Sequence, residues 1–202
     1  TAVEPGFEAD SVLTMVVSLP QRYAESDDAS DAFTTELQER LGALPGVQAV
    51  GGANQMPFMG GTSWPPTSLE TSDGIVDDSV HNATVTPEYF TTLQIPLIAG
   101  RQLARSDRKG TPPVAVVSEA MVRKYWPDED PIGRRIRVNV GDEPAWITVV
   151  GIVGDVKHRL NSNPYPQFYV PNAQGPSSYQ NVVMKTAMAP DRLVPAVREL
   201  LR

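Results

Sequence analysis

Val12-Leu13-Thr14-Met15-Val16-Val17-Ser18-Leu19 alternates residue by residue. Leu13, Met15, Val17 and Leu19 form one wholly apolar face, as a half-buried strand requires, and Val12, Thr14, Val16 and Ser18 form the other. Pro20 ends the strand. The acidic run Glu25-Ser26-Asp27-Asp28-Ala29-Ser30-Asp31 then suits a helix start, where short oxygen-bearing side chains cap free N–H groups and negative charge meets the positive end of the dipole. Phe33, Leu37, Leu41 and Leu44 recur at helical spacing as one apolar stripe. Pro45-Gly46 stops the helix and Val47-Gln48-Ala49-Val50 resumes extended chain, which completes a β-α-β unit.

Working outward, residues 51–78 read as loop, because Gly51-Gly52, Met56-Pro57-Phe58-Met59-Gly60-Gly61 and Trp64-Pro65-Pro66 punctuate the chain too often for regular structure to run far. A strand is expected over Ser79 to Val85. Thr86-Pro87-Glu88 reads as a helix entry with Thr86 as N-cap, leading into a short helix over Tyr89 to Leu93. Pro113 to Val117 is an apolar strand, followed by a Ser118-capped helix to Trp126 and a turn at Asp128 to Gly133. Arg134 to Val140 alternates, with Ile136, Val138 and Val140 inward and Arg135 and Arg137 outward; Gly141 to Pro144 forms a hairpin turn into the strongly β stretch Trp146 to Val153. Short strands at Phe168 to Val170 and Asn181 to Lys185 precede a last helix opened by Ala189-Pro190-Asp191, with Leu193, Ala196, Val197 and Leu200 along one side. The fold class is α+β, with strands in short meanders and three or four helices.

With 41 % hydrophobic and 20 % charged residues over 202 positions, the chain can bury a sizeable core without staples. There is no Cys, so disulfides and cysteine metal sites are excluded. The net charge of −7 argues against nucleic acid and against a broad basic membrane-binding face. No apolar run approaches the roughly 20 residues that span a bilayer. The opening Thr1 to Gly6 lacks both an initiator Met and a signal-peptide pattern, and reads as a processed protein or an excised segment.

The candidates for chemistry are few. His81 and His158 lie far apart in sequence with no second ligand at i+4, and a zinc site needs at least three convergent ligands, so both read as ordinary histidines. Neither a G-x-S-x-G elbow nor a P-loop is present. Gly151-Ile152-Val153-Gly154-Asp155 follows a strand but carries two of the three dinucleotide-fold glycines and no helix after them, so it reads as a strand bulge ending in a turn. Asp73, Asp77 and Asp78 are spaced too irregularly for a calcium loop. Arg134, Arg135 and Arg137 read as a solvated strand face that can meet an acidic partner. Met56, Phe58, Met59 and Trp64 are candidates for partner contact, since Met is favoured on adaptable binding surfaces; lidding the core is the competing reading.

Four stretches carry a family resemblance. Thr86 to Arg101 (TPEYFTTLQIPLIAGR) resembles the V-[ST]-P-x-Y-F-x-x-L-x-I-x-L-x-x-G-R stretch of MacB-like periplasmic core domains. Pro113 to Ala120 resembles the family's P-V-x-V-[IV]-[NS]-E step, Asp130 to Ile136 its D-P-I-G-[KR]-x-[IL], and Val149 to Val156 its V-[VI]-G-V-V-G-D-V, all in the family's order. Pro5-Gly6-Phe7, Leu13-Thr14-Met15, Leu19-Pro20, Arg22-Tyr23 and Leu44-Pro45-Gly46-Val47 are similar to the subgroup of acidobacterial duplicated permeases, often encoded without an adjacent ATPase. Ser118 stands where Asn is more usual and Thr86 where Ser is common; residues 51–78 match poorly.

The resemblance implies the periplasmic domain of an FtsX/MacB-type ABC transporter permease in the inner membrane. It implies a porter-like β-α-β subdomain built from both chain ends, residues 1–95 and 176–202, with a mostly-β subdomain, residues 96–175, inserted. The implied role is to transmit ATP-driven motion of the membrane helices to periplasmic substrates or partners; a periplasmic ligand-binding or sensory domain is the alternative. No catalytic residue, cofactor or metal is implied. The implied partners are the permease's own transmembrane helices and a cognate cytoplasmic ATPase, with a second permease copy and a periplasmic adaptor or substrate as further candidates, and no nucleic acid.

Overall fold

The structure, a computed structural model, describes residues 5–7, 10–18, 26–59, 63–140, 143–159, 161–175 and 179–201. Its elements are β1 (Val12–Ser18), α1 (Asp27–Gly42), β2 (Val47–Ala53), β3 (Pro66–Thr71), β4 (Gly74–Ser79), β5 (His81–Val85), α2 (Tyr89–Thr92), β6 (Leu97–Gly100), β7 (Val114–Ser118), α3 (Glu119–Tyr125), β8 (Arg135–Val140), β9 (Glu143–Val153), β10 (Gln167–Pro171), β11 (Tyr179–Thr186) and α4 (Val194–Leu200). The strands form a mixed sheet in the order β1-β11-β2-β5-β10-β7-β9-β8-β3-β4, with β6 added against the end of β9. This is the α+β class expected from the sequence.

At one end, β11 runs antiparallel between β1 and β2, so β1 and β2 are parallel and α1 crosses between them. The chain's two ends therefore build one split β-α-β layer. Alternation puts Leu13, Met15 and Val17 on the helix side, where they meet Leu37, Leu41, Leu193 and Val197. Ser26 caps α1, its hydroxyl accepting from the Ala29 N–H. Gly46, at φ +91, makes the turn into β2 that a side chain would resist. A second core lies on the opposite face, where Tyr89 and Phe90 of α2 pack with Ala53, Val85, Tyr169 and Val183. A third, around Trp126, Ile136, Ile147 and Phe168, fills the space beneath α3.

Several expectations change. Residues 51–78 are not mainly loop: β2 runs on to Ala53, and β3 and β4 form a hairpin whose free side pairs with β8 through Ser68↔Arg137 and Leu69↔Ile136. That pairing also sets β3 and β4 beside the middle strands, whereas a boundary at residue 95 groups them with the chain ends. Thr86 does not cap α2; its hydroxyl accepts from Gly52 N (2.9 Å) and Gln38 Nε2 (3.0 Å), bracing β2 instead. A 3-10 turn, Pro190–Leu193, precedes α4, and Ala196 faces solvent while Leu193 and Val197 are buried. Ser118 caps α3 as expected, accepting from Met121 N. Leu19, Pro20, Glu25 and the turn at residues 141–142 lie outside the described residues.

The glycines of Val149 to Val156 serve close packing. A Cβ on Gly151 would collide with the Arg101 carbonyl, and one on Gly154 with the Pro96 ring. The β7–β9 register shifts between Ala115 and Val116, the bulge expected here. Asp155 accepts from Ala120 N (2.6 Å) and pairs with Arg123, closing the start of α3. Among the described residues, no helix is long and apolar enough to cross a membrane.

Candidate partner-contact site

The two limbs of the segment between β2 and β3 are tied along β5, the first near its end and the second near its start. Asn54 joins the first limb to that strand twice: its N–H donates to Thr84 O (2.9 Å) and its Oδ1 accepts from Thr84 N (2.8 Å). Asn181 Nδ2 donates to the carbonyls of Ala53 (3.1 Å) and Asn54 (3.0 Å). The return limb lies beside β5 through Asn82 N to Ser63 O and Val80 N to Pro65 O. The four apolar residues singled out from sequence divide between buried and exposed. Met56 is buried in the α2 core and lids it. Phe58, Met59 and Trp64 are 43 %, 48 % and 42 % exposed, a large apolar surface for one short segment. Phe58 adopts φ +64, a costly conformation for an aromatic residue, and its ring meets Phe7 at 5.9 Å.

Beneath Trp64 the structure brings together three rings, His81, His158 and Tyr165. Trp64 lies 5.4 Å from His81 and 4.9 Å from Tyr165; His158 stacks on Tyr165 at 4.7 Å and lies 4.8 Å from His81. His81 Nε2 is 3.0 Å from Gln55 Oε1, and His158 Nε2 is 2.8 Å from Gln167 Oε1. Burial, and then the neighbouring His158, hold His81 down to about 4. Burial also lowers His158, against the Gln167 hydrogen bond, and pushes Tyr165 up to about 12, against nearby Arg159. Both imidazoles are therefore neutral near pH 7, and the cluster acts as an aromatic seat for the exposed loop.

Sequence spacing did not show this cluster. His81 opens β5 and His158 precedes β10, and only the parallel pairing Gln167↔His81 makes them neighbours. Among the described residues, no group of three His, Cys, Asp or Glu side chains gathers at metal-binding distance. Asp78 instead accepts from Lys124 Nζ (2.8 Å) and Tyr125 OH (2.7 Å), which lower it to about 2. The arginine patch is largely neutralised, Arg134 by Glu129 and Arg135 by Glu70.

The family model for the MacB-like periplasmic core domain matches residues 2–202. Among solved structures, the periplasmic region of MacB from Actinobacillus actinomycetemcomitans is similar with a TM-score of 0.61 and 17 % identity, over 97 % of this chain and 84 % of that one. The extracellular domain of the noncanonic ABC-type transporter YknZ from Gram-positive bacteria gives 0.55 and 17 %, over 92 % and 88 %. A permease-protein domain from Porphyromonas gingivalis gives 0.51 and 21 %, over 78 % and 70 %. At these identities the three structures speak to the fold. No curated protein matches the chain.

Proposed function

The chain belongs to the MacB-like periplasmic core domain family, the periplasmic domains of ABC transporter permeases, and from that premise we propose that it carries ATP-driven motion of membrane helices outward as one body. The observation that carries this reading is the meeting of its first strand and last helix. Thr186 N donates to Ser11 O (2.8 Å), Ala187 N to Gly46 O (2.8 Å) and Arg40 Nη2 to Leu200 O (3.1 Å). The end of β11 is thus tied to the start of β1 and to the turn before β2, and the end of α4 to the last turn of α1. Force entering through membrane helices at both ends of the domain would load a single packed layer.

From that layer the path runs through side chains. Ala53 and Val183 share a core with Val85, Tyr89, Phe90 and Tyr169 of the neighbouring elements. Close-packed interiors transmit displacement with little compression. A cognate cytoplasmic ATPase drives the motion, the permease resides in the inner membrane, and a second permease copy adjoins it. The work falls on a periplasmic substrate or adaptor, in efflux or mechanotransmission.

Phe58, Met59 and Trp64 are the surface through which a partner takes up that motion. Apolar aromatic and Met side chains with adaptable rotamers suit such contacts. In the full-length permease, Phe58→Ser with Met59→Ser should lower transport or adaptor binding while membrane levels stay unchanged. Transport and adaptor binding both at the original level would remove the loop from the mechanism.

A further inference from the structure

Pro5-Gly6-Phe7 belongs to no strand or helix, yet this short strap is docked on the body of the domain. Pro5 O accepts from Lys157 N (2.8 Å). Gly6 lies at φ +85, and a Cβ there would collide with the Asp155 carbonyl, so the close approach needs glycine. The surface beneath is fixed, because the Asp155 carboxylate accepts from Ala120 N (2.6 Å) at the start of α3. Farther along, Asp10 O accepts from Lys185 Nζ (2.8 Å), and Ser11, at φ +58, turns the chain into β1. Strap and strand are thus seated on different elements, the strap on the segment after β9 and the strand on β11.

The strap meets both limbs of the exposed loop. Phe7 packs on the α2 core that Met56 lids, and its ring lies 5.9 Å from that of Phe58. Lys157, which holds Pro5, is followed by His158, whose ring stacks on Tyr165 beneath Trp64.

Phe58 is where this support matters. At φ +64 it occupies the left-handed region, which a bulky residue leaves unless its surroundings hold it there. Almost half of it is exposed, so the hold falls on few contacts, and Phe7 supplies an aromatic one. The Met59 N–H, which donates to Met56 O (3.4 Å), closes the same turn.

We propose that Pro5-Gly6-Phe7 is a latch on the partner-contact loop. Docked on Asp155 to Lys157, it holds Phe58 in the left-handed turn that presents Phe58 and Met59; lifted, it lets the turn relax and the contact surface change shape. The inference rests on the reading of this loop as the partner surface and of the chain's start as a side from which a membrane helix pulls. On that reading the pull meets the strap before β1, so the loop is set locally while the sheet moves as one body.

Hydrogen exchange followed by NMR tests the latch without any partner, with the Met59 amide as reporter. Phe7→Ala removes the ring; Gly6→Ala keeps it and lifts the strap from the Asp155 carbonyl. Each should speed exchange at Met59 about three- to tenfold, the worth of one aromatic contact. The Thr186 amide, bonded to Ser11 O, should keep its rate and so report β1 still seated. In Phe58→Gly the left-handed turn carries no steric cost and there is no ring to hold, so adding Phe7→Ala should leave Met59 unchanged. The proposal is overturned if either single variant leaves Met59 at the parent rate, if Thr186 loses protection in step with Met59, or if Phe7→Ala acts equally with and without the Phe58 ring. A failed latch shows in these rates, whereas a loop that meets no partner shows in the transport of Phe58→Ser with Met59→Ser, so the two failures are distinct.

Discussion

The sheet is held together in two ways. From β7 through β9 to β8 the backbone pairs in long ladders, with β8 and β9 joined from Arg135↔Thr148 to Val140↔Glu143. Between β2 and β5 the ladder is a single pair, Ala53↔Val85, flanked by Thr86 N to Gly52 O and Asn54 N to Thr84 O. What the junction lacks in ladder it gains in side chains: Thr86 and Gln38 brace β2, Asn181 holds the loop, and the Tyr89–Phe90–Tyr169 core runs underneath. Ladder hydrogen bonds resist separation locally, whereas a shared core couples everything that touches it. The layer built by the chain ends is thus joined to the rest of the domain mostly by packing.

Phe90→Ala tests that difference most severely. Phe90 is fully buried, in T-shaped contact with Tyr169 at 5.0 Å. The substitution should cost about 3–5 kcal/mol and speed hydrogen exchange at Thr86 and Asn54. Ile136→Ala beneath the β8–β9 ladder, at about 2–5 kcal/mol, should leave those two amides protected. Equal loss of protection at the junction in both variants would erase the distinction.

Thr86→Val keeps the shape but strands the Gly52 N–H and weakens the hold on Gln38. A buried donor left without a partner costs about 1–3 kcal/mol. Thr148→Val in β9 changes the same atoms where the backbone ladder carries the pairing, and should stay within about 0.5 kcal/mol. Urea melts of the two variants compare them directly, and a neutral Thr86→Val would mean that the brace is dispensable.

The junction side also carries the titratable cluster. The folded pKa of His81 lies below the ordinary 6.5, so the unfolded chain takes up the proton first. Stability should be complete above pH 6.5 and fall as pH drops toward 4, by an amount of the order of 2 kcal/mol. Most carboxylates titrate below this window, so the decline between pH 6.5 and 5 belongs to the histidines. His81→Phe should flatten it, leaving the smaller share of His158. An unchanged slope in His81→Phe would show that the ring is solvated enough to protonate freely in the folded chain.

How much of this could be read in the sequence depends on how local each signal was. The β1-α1-β2 unit was legible because Leu13-Met15-Val17 and Phe33-Leu37-Leu41 carry their periods within a few residues. The Ser118 cap and the bulge near Gly151 were legible for the same reason. The β3–β4 hairpin was hidden among Gly and Pro because distant residues hold it: Trp126 Nε1 donates to Glu70 O (2.8 Å), and Arg135 pairs with the Glu70 carboxylate. The role of Thr86 was misread because a hydroxyl before a proline suits a cap, while the competing partner, Gln38, lies 48 residues away. Of the loop, the apolar character could be read in the sequence but not its division into a buried Met56 and exposed Phe58, Met59 and Trp64; the histidine seat beneath them exists only through β5–β10 pairing.

The central claim, that the domain moves as one body, is tested most directly by a distance across the whole sheet. Val16 on β1 and Ile75 on β4 are 59 % and 54 % exposed, stand at its opposite edges, and lie in a chain without cysteine. Spin labels on Val16→Cys and Ile75→Cys in the full-length permease with its ATPase, on a background free of other cysteines, report that distance by pulsed electron resonance. The account predicts one narrow distribution that is the same in the nucleotide-free and ATP-bound states; a second, shifted population on ATP binding would show that the sheet flexes, and would contradict it.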